Sequence, residues 1–429
     1  MLFLKFLLLT LFGVSAYGSD FVKVKGTQFQ INDKPYYYIG ANYWYGAHLG
    51  SSGTYGDRER LLRELDHLAA HGVKNLRIMA GSEGPANQPL RVQPAMQEAP
   101  GVYNQEVLEG LDFLLQEMAK RNMKAVMCLT NFWHWSGGMA QYVAWADKTT
   151  IPYPPPAKDG SWDRYQKYTA TFYTNQQAKE AYNQHVRYIV NRTNSLTGLP
   201  YKNDPVIMSW ELANEPRGMK QRSAYLKWIK DTVTLIKSLD ANHLVTIGSE
   251  GDTPNPEYAG VRYLEDHKNS GIDYGTMHIW IENFGWYEPK KPEQSYPGAL
   301  EKAKDYFNKH LKESETLGLP MVFEEFGIAR DQRSMDPKST TKWRDQYLAT
   351  MFNQVFEAAE QGRAAAGANF WAYSGEGRPR TNDEAFWQLG DDLLGDPAHE
   401  PQGWYGVYNT DISTFKIISD IAAKMDAIK

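Results

Sequence analysis

Three glutamates stand where apolar runs end, and that placement is the first feature of the sequence with chemical content. Val206-Ile-Met-Ser-Trp-Glu-Leu-Ala-Asn-Glu-Pro216 reads as a buried strand closing on Asn214-Glu215-Pro216. Proline cannot donate to a sheet ladder, so the strand stops there and Glu215 is left at its rim. The second run, Met321-Val-Phe-Glu-Glu-Phe-Gly327, carries Glu324 and Glu325. Side chains alternate along a strand, so one of the two is expected to face the sheet's interior axis and the other the layer behind it. Two carboxylates on facing strand ends match what glycoside hydrolysis requires. One protonates the leaving oxygen, and the other attacks the anomeric carbon or activates water. Ordinary ion-paired glutamates are the alternative for each.

The elements that must position these groups follow a rhythm. Apolar strand segments fall at 37–42, 75–80, 125–131, 206–214, 244–248, 274–278, 322–326 and 368–373. Between them lie segments with helical apolar spacing, at 61–69 and about 104–121, 176–196, 222–239, 298–316, 340–361 and 411–428. Strand and helix in alternation imply a parallel sheet with helical crossovers, and eight units imply closure into a (β/α)8 TIM barrel. Residues 21–35, alternating around Gly26 and Asn32-Asp33, read as a short β-hairpin ahead of it. No Gly-x-Gly-x-x-Gly turn follows the first strand, which disfavours an open nucleotide-binding sheet. The stretches 81–102, 132–174, 279–297, 327–338 and 374–410 are long and rich in Trp, Tyr, Pro and Gly. In a barrel they follow the C-terminal strand ends, where active sites are built.

At this point the chain resembles glycoside hydrolase family 5. Trp210-Glu-Leu-Ala-Asn-Glu-Pro216 and Phe323-Glu-Glu-Phe-Gly327 look like its two signature strands. Arg77, Asn131, His278 and Trp371 fit the same pattern. Gly40-Ala-Asn-Tyr-Trp44, Asn369-Phe-Trp-Ala-Tyr-Ser-Gly-Glu-Gly377 and Gly395-Asp-Pro-Ala-His-Glu-Pro-Gln-Gly-Trp404 are similar to its endo-β-1,4-mannanase branch. The resemblance spans roughly residues 21–425. It implies a retaining mechanism, with Glu215 as general acid/base and Glu325, the residue before an aromatic–glycine pair, as nucleophile. Glu215 would then be protonated, its pKa raised by a neighbouring negative charge, and Glu325 would be kept ionised by Arg77. Asn214 is expected at the sugar 2-hydroxyl, His278 at the acid/base or a sugar, and Trp371 as the floor under the reacting sugar. Arg217 is expected on the leaving-group side, and Asn131 completes the binding set. The blander alternatives are a strand-end cap for Asn214, a wall histidine for His278, a core side chain for Trp371, a surface ion pair for Arg217, and an interior pair with Glu211 for Arg77. Trp280 stands where many relatives carry a tyrosine whose hydroxyl contacts the nucleophile. Indole offers only an N–H donor there.

The resemblance thus implies an enzyme cutting internal β-1,4 bonds of mannan, glucomannan and galactomannan; we expect it to be secreted, from the N-terminal segment described below, to need no metal or cofactor, and to be a monomer. A β-1,4-glucanase would use the same residues, and a barrel that binds polysaccharide without cutting it is the non-enzymatic alternative. Metal-dependent hydrolysis finds no His-x-His pair or His-Glu-x-x-His helix in this sequence. Composition agrees. A net charge of −5 gives no basic excess for nucleic acid. Aromatic residues are 13% of the chain, and Trp133, Trp135, Trp280, Trp286, Trp387 and Trp404 fall in rim stretches where they can stack on pyranose rings or simply pack. Met1–Gly18, with Lys5, an apolar stretch at 6–14 and small residues at 15–18, reads as a secretory signal peptide cleaved after Ala16 or Gly18, leaving one catalytic domain over 19–429. No segment reads as a membrane span. Cys128, the sole cysteine, lies in a strand segment and is expected to be a packed, inert thiol. Asn191-Arg-Thr193 matches an N-glycosylation sequon.

Overall fold

The structure is a computed structural model describing residues 21–429, so the signal peptide expected at Met1–Gly18 lies outside the described residues. Eight parallel strands form the sheet: β1 (Tyr38–Asn42), β2 (Asn75–Met79), β3 (Lys124–Cys128), β4 (Ile207–Glu211), β5 (Leu244–Thr246), β6 (Gly275–Ile279), β7 (Met321–Phe326) and β8 (Ala365–Phe370). The order β5-β4-β3-β2-β1-β8-β7-β6 is that of a sequentially wound barrel. The ladder is interrupted only between β5 and β6, where Asp273 N donates to Val245 O at 2.9 Å and His278 N to Glu250 O at 3.2 Å. Each strand is buried along almost its whole length, as expected for a sheet wrapped by helices on its outer face.

The crossover helices form where the apolar period runs and start at capping residues. Asp57 accepts from Arg60 N ahead of Arg58–Ala70, Asn104 from Val107 N ahead of Gln105–Lys120, and Asn175 from Ala178 N ahead of Gln176–Val190. The last of these stops at Asn191, five residues before the periodicity suggests. Residues 21–35 make a three-stranded antiparallel meander (Lys23–Lys25, Gln28–Ile31, Lys34–Pro35), one strand more than the expected hairpin. Its Val22 and Phe29 pack against Tyr38, Val126, Met208, Leu244, Val322 and Ala366, residues at the N-terminal ends of the barrel strands, and so close the bottom of the barrel.

The opposite end carries the long connections, and they are more structured than their composition implies. The 132–174 stretch contains the helices Gly138–Asp147 and Trp162–Ala170. The 81–102 stretch leads into a small ladder of Gln97–Ala99 with Val102–Tyr103. The 374–410 stretch returns so that Tyr373–Gly375 pairs with Val407–Tyr408. Cys128 is buried, with its Sγ 3.2 Å from Thr130 O. No helix among the described residues is long and apolar enough to cross a membrane.

Candidate active site

Glu215 lies just past the end of β4 with φ of 49°, a left-handed conformation that costs a non-glycine residue roughly 1–3 kcal/mol. Its backbone N–H is held by Gly248 O at 2.9 Å, so the surrounding barrel maintains the strain and aims the carboxyl into the mouth. The Glu215 Oε2 accepts the indole N–H of Trp133 at 2.6 Å, and its Oε1 lies 2.7 Å from His278 Nδ1. That same His278 nitrogen is 3.3 Å from Glu325 Oε2. One oxygen of Glu215, His278 Nδ1 and one oxygen of Glu325 all fall within 4.8 Å of one another.

Glu324 and Glu325 do not face opposite ways, and the expectation from strand alternation is corrected here. Opposite β7, the register of β6 runs Met277 to Phe323 and then His278 to Glu325, so Glu324 is an extra, unpaired residue. Such a bulge cancels one step of the two-residue period and turns both carboxyls into the barrel. Glu324 Oε2 lies 3.3 Å from His278 Nε2 and 3.6 Å from Arg77 Nε, while Glu325 pairs directly with Arg77 Nη1.

Arg77, at the middle of β2, satisfies both readings of it at once. It forks onto Glu211 at 2.6 and 2.9 Å while also holding Glu325, and it donates to Asn214 Oδ1 at 2.7 Å and Asn42 Oδ1 at 3.2 Å. The site therefore gathers the carboxyls of Glu211, Glu215, Glu324 and Glu325 around two cationic groups, Arg77 and His278. Burial alone would raise the Glu215 carboxyl, but the hydrogen bond and charge of His278, the Arg217 charge and the Trp133 donor hold it down at about 2. Burial opposes a charge on His278, yet Glu325, Glu215 and Glu324 raise its pKa to about 10. Glu325 is pushed by burial up to about 7, against the pull of His278 and Arg77.

This is the reverse of the expected assignment, in which Glu215 holds the proton and Glu325 is comfortably ionised. The reason is the imidazole between them, whose effect the sequence argument omitted. A charged His278 beside an ionised Glu215 holds the same number of protons as a neutral His278 beside a protonated Glu215. The two arrangements differ only by transfer across one 2.7 Å hydrogen bond.

A cavity of about 460 Å³ opens above this cluster. Of the site residues expected from sequence, Asn214, Glu215, Arg217, Trp280, Glu325 and Trp371 line it, whereas Arg77, Asn131 and His278 lie beneath its floor. Asn131, expected to bind substrate, is fully buried and instead grips Asn214 through its Oδ1 at 3.0 Å. Asn214 spends one amide hydrogen on that bond and keeps the other. Arg217 forks onto Glu250 at 2.5 and 2.8 Å, reaches Gln166 Oε1 at 2.8 Å and lies 4.9 Å over the Trp133 ring. Trp280 stands edge-on to Trp371 at 5.7 Å and against Tyr405 at 5.1 Å, forming an aromatic corner. Trp133, Trp135 and Trp404 also line the cavity, but Trp286 and Trp387 do not.

Among the cavity residues given no individual role in the sequence reading, Trp133 and Glu400 bear most directly on its chemistry. Trp133 was visible only as a rim aromatic, because its bond to Glu215 spans 82 residues. Glu400 also lines the cavity, with a carboxyl that makes no hydrogen bond among the described residues. Burial, and then the charges of Asp396, Glu215 and Glu325, raise its pKa well above the usual carboxylate range. A glutamate between His399 and Pro401 inside the Gly395–Trp404 motif was the available signal. The Glu215–His278–Glu325 triangle has the donor types for a metal ion, but Arg77 and Trp133 already occupy its carboxylates, and the Arg77 charge opposes a second cation there.

Comparison with known proteins fits this geometry. The sequence model of the glycoside hydrolase family 5 β-mannosidase-like group matches residues 19–429. "Mannan endo-1,4-beta-mannosidase 4" of Solanum lycopersicum is 31% identical over 385 residues, covering 85% of this chain and 86% of that protein. The crystal structure of a glycoside hydrolase family 5 mannosidase from Rhizomucor miehei is 40% identical, covers 96% of this chain and 98% of its own, and superposes with a TM-score of 0.87. An endo-β-1,4-mannanase from Thermotoga petrophila, 24% identical with a TM-score of 0.67 over 92% of this chain and 78% of its own, shares the fold. The chain belongs to glycoside hydrolase family 5, in its β-mannosidase-like group.

Proposed function

We propose that the protein hydrolyses β-1,4-mannosidic bonds of mannan, glucomannan and galactomannan by a retaining double displacement, outside the cell. The observation that carries this reading is the close approach of the Glu215 and Glu325 carboxylates, within 4.8 Å at the base of an aromatic-walled cavity. Retaining glycosidases hold their two carboxyls about 5–5.5 Å apart, and inverting ones about 6.5–9.5 Å apart to admit a water. Glu325 attacks the anomeric carbon as the glycosidic bond breaks, and Glu215 gives its proton to the departing oxygen. That proton is drawn across the hydrogen bond from His278. With Glu325 esterified, its negative charge is gone, and Glu215 takes a proton from the water that attacks the anomeric carbon and releases Glu325. Trp371 and Trp280 supply apolar faces for the reacting sugar, and Arg217 and Gln166 polar groups on the Glu215 side.

The names of the plant relatives favour cutting within the chain. A second reading, removal of units from a chain end, is favoured by one feature of the cavity. None of its lining comes from the stretches after β1 and β2. On that side the 374–410 stretch meets the 132–174 stretch through His399 and His134, rings 4.9 Å apart, and is tied down by Trp44 Nε1 donating to Gly395 O at 2.8 Å. The test is reducing-end release and viscosity on linear mannan, galactomannan, glucomannan and carboxymethyl-cellulose in parallel. Release from the mannans with a rapid viscosity loss supports internal cutting, and release of mannose at nearly constant viscosity supports the chain-end reading. Release from cellulose alone refutes the mannan assignment, and no release from any polymer refutes hydrolysis.

A further inference from the structure

Trp387 is a rim aromatic that the catalytic cavity does not use. It lies in the wall of a separate cavity of about 180 Å³ on the far side of the 374–410 stretch. Leu49, Tyr55, Asp57 and Arg60 from the chain after β1 and Gln93 from the stretch after β2 share that wall with residues 390–393, and the Arg60 guanidinium is spent on Glu64, Ser374 O and Leu393 O. Residues 390–393 line this cavity and residues 397–404 line the catalytic one, so the same segment separates the two.

Several features mark this cavity as built for a ligand. The Trp387 indole N–H is buried and donates to nothing among the described residues, an arrangement that usually costs about 1–3 kcal/mol. Tyr55 lines the cavity and is 44% exposed, so its ring is reachable from solvent. Asp57 uses one carboxylate oxygen to cap Arg58–Ala70, and Asp392 uses one to accept Arg378 N at 2.9 Å. The second oxygen of each accepts no hydrogen bond among the described residues. Aromatic side chains beside uncommitted carboxylate oxygens suit a neutral pyranose. The sugar's C–H face covers a ring and its hydroxyls donate to the carboxylates. The volume equals that of about six waters at roughly 30 Å³ each, enough for one sugar unit rather than a length of chain.

We propose that this cavity is a second, non-catalytic sugar site that holds one pyranose of the polysaccharide while another part of the substrate occupies the catalytic cavity. The proposal rests on the mannan reading above, and the experiment separates the two. Wild type, Trp387→Ala and Tyr55→Ala are incubated at 4 °C with insoluble linear mannan and, separately, with insoluble cellulose, and the unbound protein is measured. The rate on soluble mannotriose is followed alongside. Tyr55 lies at the surface, so its replacement tests the site even if Trp387→Ala folds poorly. We expect both variants to bind mannan about fivefold or more weakly, with the mannotriose kcat/KM within about twofold of wild type. Unchanged mannan binding in both variants, while the wild type cuts mannan, overturns the site and leaves the mannan reading standing. Equal loss on polymer and trimer also overturns it, because the residues then serve the catalytic cavity. Binding to cellulose alone, weakened in both variants, supports the site and refutes mannan as the polymer.

Discussion

Replacing His278 by Gln tests the electrostatic argument directly, because it keeps a polar side chain and removes the charge. At 3.3 Å and an effective dielectric of about 20, a unit charge on Nδ1 favours the Glu325 carboxylate by about 5 kcal/mol. At 1.36 kcal/mol per unit that equals roughly 3–4 pKa units. Part of the change is absorbed by proton uptake at Glu215, whose carboxyl His278 otherwise holds down at about 2. The net movement expected at Glu325 is about two units upward from about 7. Glu325 attacks only when ionised, so activity falls as pH drops through its pKa, and the acid limb of kcat/KM reports that pKa in the free enzyme. An aryl β-mannoside with an activated leaving group removes the need for protonation by Glu215 and isolates this limb. His278→Gln is expected to move it from near 7 to near 9, lowering the rate at pH 7 about 50-fold and restoring most of it at alkaline pH. A limb that stays within half a unit, with a uniform loss of rate, would falsify the claim that His278 carries a positive charge between the two glutamates.

Other perturbations probe the remaining parts of the site. Glu325→Ala is expected to abolish hydrolysis of polymer and aryl mannoside alike, whereas Glu215→Ala should lose about 10²–10⁴-fold on mannan and far less on the aryl substrate. Steady-state rates on the two substrates distinguish these, and a Glu215→Ala enzyme equally poor on both contradicts the acid/base role. Arg77→Met leaves Glu211, Glu324 and Glu325 without their shared cation and should cost about 3–5 kcal/mol in urea unfolding. A change under 1 kcal/mol would show that protonation of Glu211 compensates fully. Asp411 is buried against Arg344 and Arg330, whose charges and hydrogen bonds override its desolvation and hold its pKa below the usual aspartate value. A depressed carboxyl adds stability that is complete above its unfolded pKa of about 3.9 and is lost as pH falls through the lower folded value. Asp411→Asn should therefore lower the melting temperature at pH 7 and flatten its decline below pH 4, and a parallel decline in both proteins would exclude the linkage.

The eight strand segments and their helical partners were legible because parallel strands buried on both faces and amphipathic helices leave strong local periods. Glu215 was legible for a related reason, since proline marks where its strand stops, whereas Glu325 was singled out from Glu324 only by the resemblance to the family's signature strand. Failures of the local reading trace to interactions between distant parts of the chain. The helices Gly138–Asp147 and Trp162–Ala170 were hidden in a stretch whose many aromatics and prolines resemble a loop. The two faces of Glu324 and Glu325 were misassigned because a bulge is set by the register against β6, not by the sequence of β7.

The sequence by itself therefore determined the barrel, the strand ends that carry the carboxylates and the aromatic richness of the rim, all of which follow from residue type at short spacing. Tertiary structure alone decided which side chains touch the cavity and which stand beneath it. It sent Asn131 to brace Asn214 and brought Trp133 to Glu215 across 82 residues. It also decided where the proton rests, because a pKa depends on burial and on charges brought together from four strands of the sheet. The same holds for the separation of Trp387 from the catalytic cavity. Only the path of the 374–410 stretch across the barrel mouth divides the rim aromatics between two cavities, and no local period encodes that path.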